Sequence, residues 1–353
     1  MAILTPGDLT FNGEEIRSIR EAILEAVFTK PAISEFHTVY EDIVTKKQIA
    51  FLGRLGKITR ADSGCSSTPL SAGITMSEKF WEPQRFEIWL QECYTNLEDT
   101  FFVWSKNRGM TEPDLTGTDF ASFLVERITD AMAEDAQRIA WFGDTDAASI
   151  DDTPTGELAS GVSALDYNVI DGFWKQLFAI GTANPSKVYT ISENALSTYA
   201  LQDALATDKA YLVFQSLMNK ADYRLRSAQN KVIIATQSLV DNYASYLESK
   251  SNDASFIRIE EGFSVLRYRN QNIIGYDLWD RYIRSDFNNG TKYDLPHRAV
   301  YTTVSNLALG IDQASALADL DQWFEKKEKT TNFRGGYKMD AKVLESYMVA
   351  LAY

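Results

Sequence analysis

Cysteine is scarce in this chain: Cys65 and Cys93 are the two among 353 residues, and they form no C-x-x-C pair. A disulfide framework of the kind that staples small secreted domains is excluded, and a reducing cytoplasm is the expected compartment. Histidine is equally sparse. His37 and His297 stand alone, so any His-based triad or zinc site must use one of them, and no Cys or His pair has ligand spacing. Neither G-x-S-x-G, H-E-x-x-H nor S-D-N occurs, which removes the common nucleophile and metalloprotease signatures. Cations are the minority charge: 35 Lys and Arg face 49 Asp and Glu, giving a net charge of −14. A general phosphate-binding surface is therefore not expected. Long apolar runs are missing too, the longest being Tyr347 to Tyr353, and Met1 to Gly13 has no basic stretch followed by an apolar one. Neither a signal peptide nor a membrane span is expected.

What is present is ordinary globular composition, 45% apolar and 24% charged residues, in a chain long enough for about two domains. The first helix is signalled by Asn12 as cap, Glu15 at the capping-box position and Ile16, Ile19, Ile23, Val27 and Phe28 at helical spacing, with Pro31 as stop. Its apolar stripe has no partner pattern nearby, so residues 1–36 read as an arm that lies on another surface. Residues 37–92 read as extended chain interrupted by the Ser-, Gly- and Pro-containing stretch from Ala61 to Gly73, a projecting hairpin with a long loop. The spacing then predicts one long helix from about Thr118 to Phe142. Phe120, Phe123, Leu124, Ile128, Ala131, Met132, Ile139 and Phe142 form its apolar face, and Glu126, Arg127, Asp130, Glu134, Gln137 and Arg138 its polar face. At 1.5 Å per residue it is roughly 37 Å long, and Gly143 ends it.

Further helices are expected at about 169–180, 208–226 and 238–250, the last preceded by the buried strand Lys231-Val-Ile-Ile-Ala-Thr. Extended runs follow at 263–268, 273–278 and 298–304, with a turn at Asn288-Asn-Gly-Thr. Period-two alternation at Tyr337, Met339, Ala341 and Val343 leads into the apolar tail as a long terminal strand.

Chemistry-bearing groups are few. Gly53-Arg-Leu-Gly-Lys-Ile-Thr echoes a phosphate loop, but the glycine spacing is wrong and Ile58 occupies the magnesium-binding hydroxyl position, so a turn in a strand pair is expected. Asp144, Asp146, Asp151 and Asp152 on the loop after the long helix are weak candidates for a calcium site; Ala148 and Ser149 break the EF-hand pattern, and the competing expectation is a solvated acidic turn. Phe80, Trp81, Phe86, Trp89, Tyr94, Phe101, Phe102 and Trp104 crowd one region. They could line a ligand box, or pack against another subunit from half-exposed strands, which is the favoured expectation. No matched acid, base and nucleophile set is present, so no catalytic residue and no cofactor is assigned.

The order of parts (arm, projecting hairpin, very long helix, acidic loop, helix, strand-helix unit, central strands, terminal strand) resembles the major capsid proteins of tailed phages, the Hong Kong 97 type fold shared with encapsulins. Ile139-Ala-Trp-Phe-Gly-Asp-Thr-Asp with Pro154-Thr-Gly resembles the end of that family's long helix. Lys231-Val-Ile-Ile-Ala-Thr-Gln-Ser-Leu and Asn272-Ile-Ile-Gly-Tyr-Asp resemble strands of its axial domain. Phe11-Asn-Gly-Glu-Glu-Ile-Arg-Ser and Asp171-Gly-Phe-Trp-Lys-Gln-Leu look like capsid proteins of phages of Bacteroidota. The sequence departs from the prototype in having no long scaffolding region before the arm, and no residue matches the family's crosslinking lysine and asparagine.

The resemblance implies an α+β chain. Its parts are an N-terminal arm (1–36), an extended hairpin loop (37–92), a peripheral domain with a spine helix (93–227), an axial domain with a central sheet (228–325) and a C-terminal strand returning to the peripheral domain (326–353). It implies a structural protein that forms pentamers and hexamers of itself in an icosahedral shell around double-stranded DNA held weakly, with no membrane. Separate scaffold, portal and decoration proteins are conceivable partners, and the location is the virion capsid, assembled in the host bacterial cytoplasm. Ile16, Ile19, Ile23, Val27, Phe80, Trp81 and Trp89 are the expected assembly contacts. The alternatives are an encapsulin-like compartment, or a cytosolic enzyme with its site in the aromatic region 80–104.

Overall fold

The computed structural model describes residues 36–52, 59, 76–93, 118–152, 156–250, 258–260, 263–312, 321–325 and 330–353. The stripe Ile16, Ile19, Ile23 and Val27 lies outside the described residues, as do Cys65, Tyr94, Phe101, Phe102 and Trp104. In chain order the described strands are β1 (Thr38–Tyr40), β2 (Lys47–Leu52), β3 (Met76–Trp81), β4 (Gln84–Cys93), β5 (Val188–Tyr189), β6 (Lys231–Ala235), β7 (Arg258–Glu260), β8 (Phe263–Tyr268), β9 (Gln271–Gly275), β10 (Ala299–Thr303), β11 (Leu307–Ile311), β12 (Asp321–Glu325), β13 (Thr330–Val343) and β14 (Val349–Ala352). The described helices are α1 (Thr118–Phe142), α2 (Phe173–Ala183), α3 (Tyr199–Asp203), α4 (Lys209–Lys220), α5 (Tyr223–Ser227), α6 (Gln237–Ser249) and α7 (Asp277–Ser285). None of the described helices is long and apolar enough to cross a membrane.

A seven-stranded sheet runs β5-β14-β10-β6-β9-β8-β7, and strand alternation sorts its side chains between two cores. Val232, Ile234, Ile274, Val300, Val349 and Leu351 join one core, which holds α1, α2 and α7. Ile233, Ala235, Ile273, Ala299, Tyr301, Ala350 and Ala352 join the other, under α4 and α6. With helices on both faces the strands read as near-continuous apolar runs, which is why Lys231-Val-Ile-Ile-Ala stood out in the sequence. A five-stranded sheet sets the long β13 between β4 on one side and β11 and β12 on the other, with β1 parallel to β11. Its Leu307, Leu309, Ile311, Met339, Ala341 and Val343 enter the first core, so one apolar interior is shared by both sheets.

The centre of that interior is aromatic. Trp141, at the end of α1, meets Trp279 edge to face with ring centroids 4.5 Å apart, and Trp279 meets Trp174 likewise at 4.7 Å. His37, just before β1, stacks on Phe173 at 5.3 Å and ties the start of that strand to the same cluster. Edge-to-face geometry suits the aromatic quadrupole and adds to area burial. Arg298 is 2% exposed. Its guanidinium lies 5.2 Å from the Trp174 and Phe178 ring centroids, and it donates to the carbonyl oxygens of Leu295 (Nε, 2.8 Å) and Asp294 (Nη2, 2.8 Å). Aromatic faces and carbonyls together compensate a buried cation that one partly exposed carboxylate, Asp294, faces at 3.1 Å.

Several expectations are corrected. Gly143 follows α1 as expected, but it has no left-handed φ. A Cβ there would lie 2.6 Å from the carbonyl oxygens of Ile139 and Ile170, and one on Gly172 would lie 2.8 Å from Gly143 N. Close approach of α1 to the start of α2 requires both glycines. Ala131, placed on the apolar face, is exposed, and Arg138, placed on the polar face, lies with its guanidinium near the rings of Tyr167 and Tyr282. The helix expected over 208–226 is two, because the Asp222 carboxylate accepts from Arg224 N and starts α5. The run 273–278 stops as a strand at Gly275, and α7 begins at Asp277. Of 37–92, the two-stranded hairpin is β2 and β3 alone; β1 and β4 belong to the five-stranded sheet. The single terminal strand is also two. Leu344 N and Glu345 N bond to Asn306, the chain turns, and β14 enters the seven-stranded sheet. The boundary expected at 227/228 likewise separates β5 and α4 from the sheet they join.

Two buried titratable groups meet the start of α6. Asp280 of α7 accepts a hydrogen bond from Gln237 N (2.6 Å) and serves as the cap that Thr236 does not provide. Burial, against these backbone bonds, raises its pKa to about 6. His297 has Nε2 2.8 Å from the Gln202 carbonyl oxygen and Nδ1 2.8 Å from Ser238 Oγ. A carbonyl only accepts, so Nε2 carries the proton and Nδ1 accepts from Ser238: the ring is neutral and satisfied. Burial holds its pKa below the ordinary value of 6.5.

Two outcomes follow from this packing. Trp279→Ala should lower the unfolding free energy by about 3–5 kcal/mol in urea titration, because three rings lose their common partner. A loss under about 1 kcal/mol would contradict the aromatic centre. Because the folded state resists protonating His297, its contribution is complete above about pH 6.5 and declines as pH falls through that value. The stability gap between wild type and His297→Gln, which has no proton to gain, should narrow in thermal melts from about pH 7 to about pH 5. A pH-independent gap would contradict the assignment.

Candidate assembly surface

Trp81 fixes the root of the hairpin. It is 3% exposed and packs with Ile43 and Ala308 over Gly310, where a Cβ would lie 2.8 Å from its ring. Around it Lys79 Nζ donates to the Val343 carbonyl oxygen (2.6 Å), Glu82 N to Asp340 Oδ2 (2.7 Å), and Lys338 Nζ to the Val44 carbonyl oxygen (3.0 Å). Burial raises the pKa of Asp340, against Lys342 and the Glu82 amide. The hairpin is thereby clamped to β11 and β13. This corrects the expectation for Trp81: it is a residue of the chain's own core, with no surface left for a neighbour.

Phe80 and Trp89 remain open, at 36% and 63% exposure. On β4 the alternation turns Phe86, Ile88 and Leu90 inward and Arg85, Glu87 and Trp89 outward. Phe86 stacks on Tyr337 at 5.2 Å, whereas Trp89 sits under the Arg334 guanidinium, 5.9 Å from its ring centroid, with Arg334 paired to Glu87 at 2.5 Å. Phe80 lies below Lys46, whose ammonium is 4.7 Å from the ring and 2.5 Å from Glu82. The four described aromatics of the crowded region thus point into separate environments, two in the core and two outside, and form no shared ligand box. Sequence reasoning missed Tyr40, Leu165 and Tyr223, all exposed; isolated apolar residues on short elements carry no periodic signal.

The acidic loop already contains its cation. Lys175, in the first turn of α2, places Nζ 2.5 Å from Asp144 Oδ1, 2.7 Å from Asp146 Oδ2 and 3.0 Å from Asp171 Oδ1. Burial would lower its pKa, but the hydrogen bonds to these carboxylates outweigh it and hold the ammonium above its ordinary range. Asp151 turns elsewhere, accepting from Ser160 Oγ and Gly161 N, and Asp152 is exposed. Asp144, Asp146, Asp151 and Asp152 therefore do not converge as a calcium site would need. Among the described residues no group of three or more His, Cys, Asp or Glu is arranged to hold a metal ion.

No protein-family model matches the sequence, and no curated protein matches it. The folded chain is similar to solved structures. One is from the satellite phage P4 procapsid including the size determination (Sid) protein, with a TM-score of 0.56 and 13% identity over 99% of this chain and 92% of that one. Another is from Gordonia phage Cozz, with a TM-score of 0.51 and 11% identity over 90% of this chain and 84% of that one. The architecture defined by the two sheets, the long helix and the rooted hairpin is the tailed-phage capsid fold.

Calcium and EDTA should both leave the thermal midpoint unchanged, while Lys175→Met, which leaves Asp144, Asp146 and Asp171 facing one another, should lower it. Stabilisation of the wild type by millimolar calcium would contradict the ion-pair reading of the loop.

Proposed function

We propose that this chain is a major capsid protein that assembles with copies of itself into an icosahedral shell enclosing double-stranded DNA. The observation that supports the reading most is extent: the likeness to a procapsid chain runs over 99% of this chain. In this reading the seven-stranded sheet with α4 and α6 is the axial domain, the five-stranded sheet with α1 is the peripheral domain, and the hairpin reaches a neighbouring subunit. Phe80, Trp89 and the arm residues Ile16, Ile19, Ile23 and Val27 bury apolar surface there. Each contact is moderate, and closed symmetry multiplies it. A net charge of −14 suits a wall that holds DNA without gripping it. In this reading the protein acts as structure rather than catalyst, in the virion capsid, with assembly in the host cytoplasm, and the reading leaves room for separate scaffold, portal and decoration proteins.

Sedimentation velocity and negative-stain microscopy of the purified chain test this directly. Rings of five and six or closed shells are expected, and a monomer at every concentration would contradict it. Deleting residues 1–30 should leave a cooperatively folded chain by circular dichroism but abolish assembly at micromolar concentration. Each lost contact of two or three aliphatic side chains is about 2–4 kcal/mol, enough to move an association constant by orders of magnitude. Loss of the folded signal would make the arm part of the chain's own core, and normal shells would make it dispensable.

A further inference from the structure

The described surface is divided by charge along α2. At its N-terminal end the described residues 144–152 and 156–171 fold against one another, with Asp144 N donating to the Tyr167 carbonyl oxygen and Glu157 N to that of Ala148. This knot exposes Asp146, Asp151, Asp152, Glu157 and Asp166 around the one ammonium of Lys175. At the other end of α2, roughly 16 Å away at 1.5 Å per residue, the cations gather. Lys187 Nζ donates to the Ser346 carbonyl oxygen (2.8 Å), Lys220 Nζ to that of Ser186 (3.4 Å), Arg226 Nη2 to that of Asn219 (2.6 Å), and Lys231 Nζ to that of Arg226 (2.8 Å).

These four cations are held by carbonyl oxygens, which orient them and leave their charge in place. Two carboxylates border the group, and both have partners: Asp222 is engaged by Arg224 through Nε (3.0 Å) and Nη2 (3.1 Å), and Glu345 accepts from the Tyr347 hydroxyl. Arg224 also stacks on Tyr347 at 3.5 Å, and Tyr223 beside it is exposed. On a chain of net charge −14 such a cluster is an exception that must be explained. Copies carrying that charge repel one another, so a contact between them forms where opposite signs meet.

We propose that the basic face built by Lys187, Lys220, Arg226 and Lys231 docks on the acidic knot of a second copy of this chain. The contact joins two different faces, so it is heterologous: repeated with a closing rotation, it generates a ring rather than a two-fold dimer. Tyr223 and Leu165, exposed at the basic and acidic ends respectively, supply the apolar area that a purely ionic contact would lack. The inference rests on the self-assembly proposed above and names the pair of surfaces that carries it.

The test uses the full chain. Lys187→Glu, Lys220→Glu and Lys231→Glu together should raise the concentration needed for assembly in sedimentation velocity at least about tenfold, and the milder Lys→Gln triple should raise it less. Adding Asp152→Lys, Glu157→Lys and Asp166→Lys to the Glu triple restores opposite signs and should restore assembly, with circular dichroism confirming the fold of each variant. Raising salt should weaken assembly of the wild type more than that of the Gln triple. If the wild type assembles and both triples assemble equally well, this inference fails while the capsid reading stands; if the wild type never assembles, both fail. A folded sixfold variant that stays dispersed also overturns it. So does a Glu triple that assembles normally but loses retention of duplex DNA, which would make the basic face a nucleic-acid surface instead.

Discussion

The close approach of α1 and α2 is the constraint on which the rest of the structure depends. Gly143 and Gly172 touch through their backbones, with Gly172 N donating to the Gly143 carbonyl oxygen at 2.7 Å. That contact delivers Trp141 and Trp174 into one cluster with Trp279. It also aims Gln176 at β13, where its amide donates to the Ala341 carbonyl oxygen and accepts from Val343 N. One short helix therefore fastens the long helix to both sheets. A side chain at either glycine would push α2 away and uncouple all three.

Rigidity in this region explains how separate surfaces can be presented in fixed relation. The five-stranded sheet carries the hairpin root, where Trp81 over Gly310 and the Asp340 carboxylate leave little freedom at the base. The seven-stranded sheet carries α4 and α6 on its far side. The two sheets share one apolar interior, so they are joined by packed side chains rather than by a linker.

Much of the architecture was legible in the sequence, for reasons that differ by element. The long helix declared itself through a sustained 3.6-residue period, and its ends at Thr118 and Phe142 fell where the pattern stopped. The buried strand at Lys231–Ala235 was legible because a strand covered on both faces is apolar throughout. Helix α7 was missed because its Trp279, Tyr282 and Ile283 follow an apolar strand directly, and Tyr276 between them allows either reading. The surface was less legible. Trp81, Phe86, Phe80 and Trp89 are alike in sequence, and strand phase together with the room that Gly310, lacking a side chain, leaves for the Trp81 ring decides which are buried. The partner of the Asp loop was hidden for a similar reason: Lys175 lies a full segment later and is brought back by the fold. The order of elements is what pointed to the capsid fold, because it does not depend on any single residue.

Charge-detection mass spectrometry of the purified, concentrated chain tests the proposed role of this unit in a shell most directly. With a 39.8 kDa chain, that role predicts capsomers at multiples of five and six chains together with closed particles whose masses are set by icosahedral symmetry. A distribution confined to one or two chains at every concentration, with the fold intact, would contradict it.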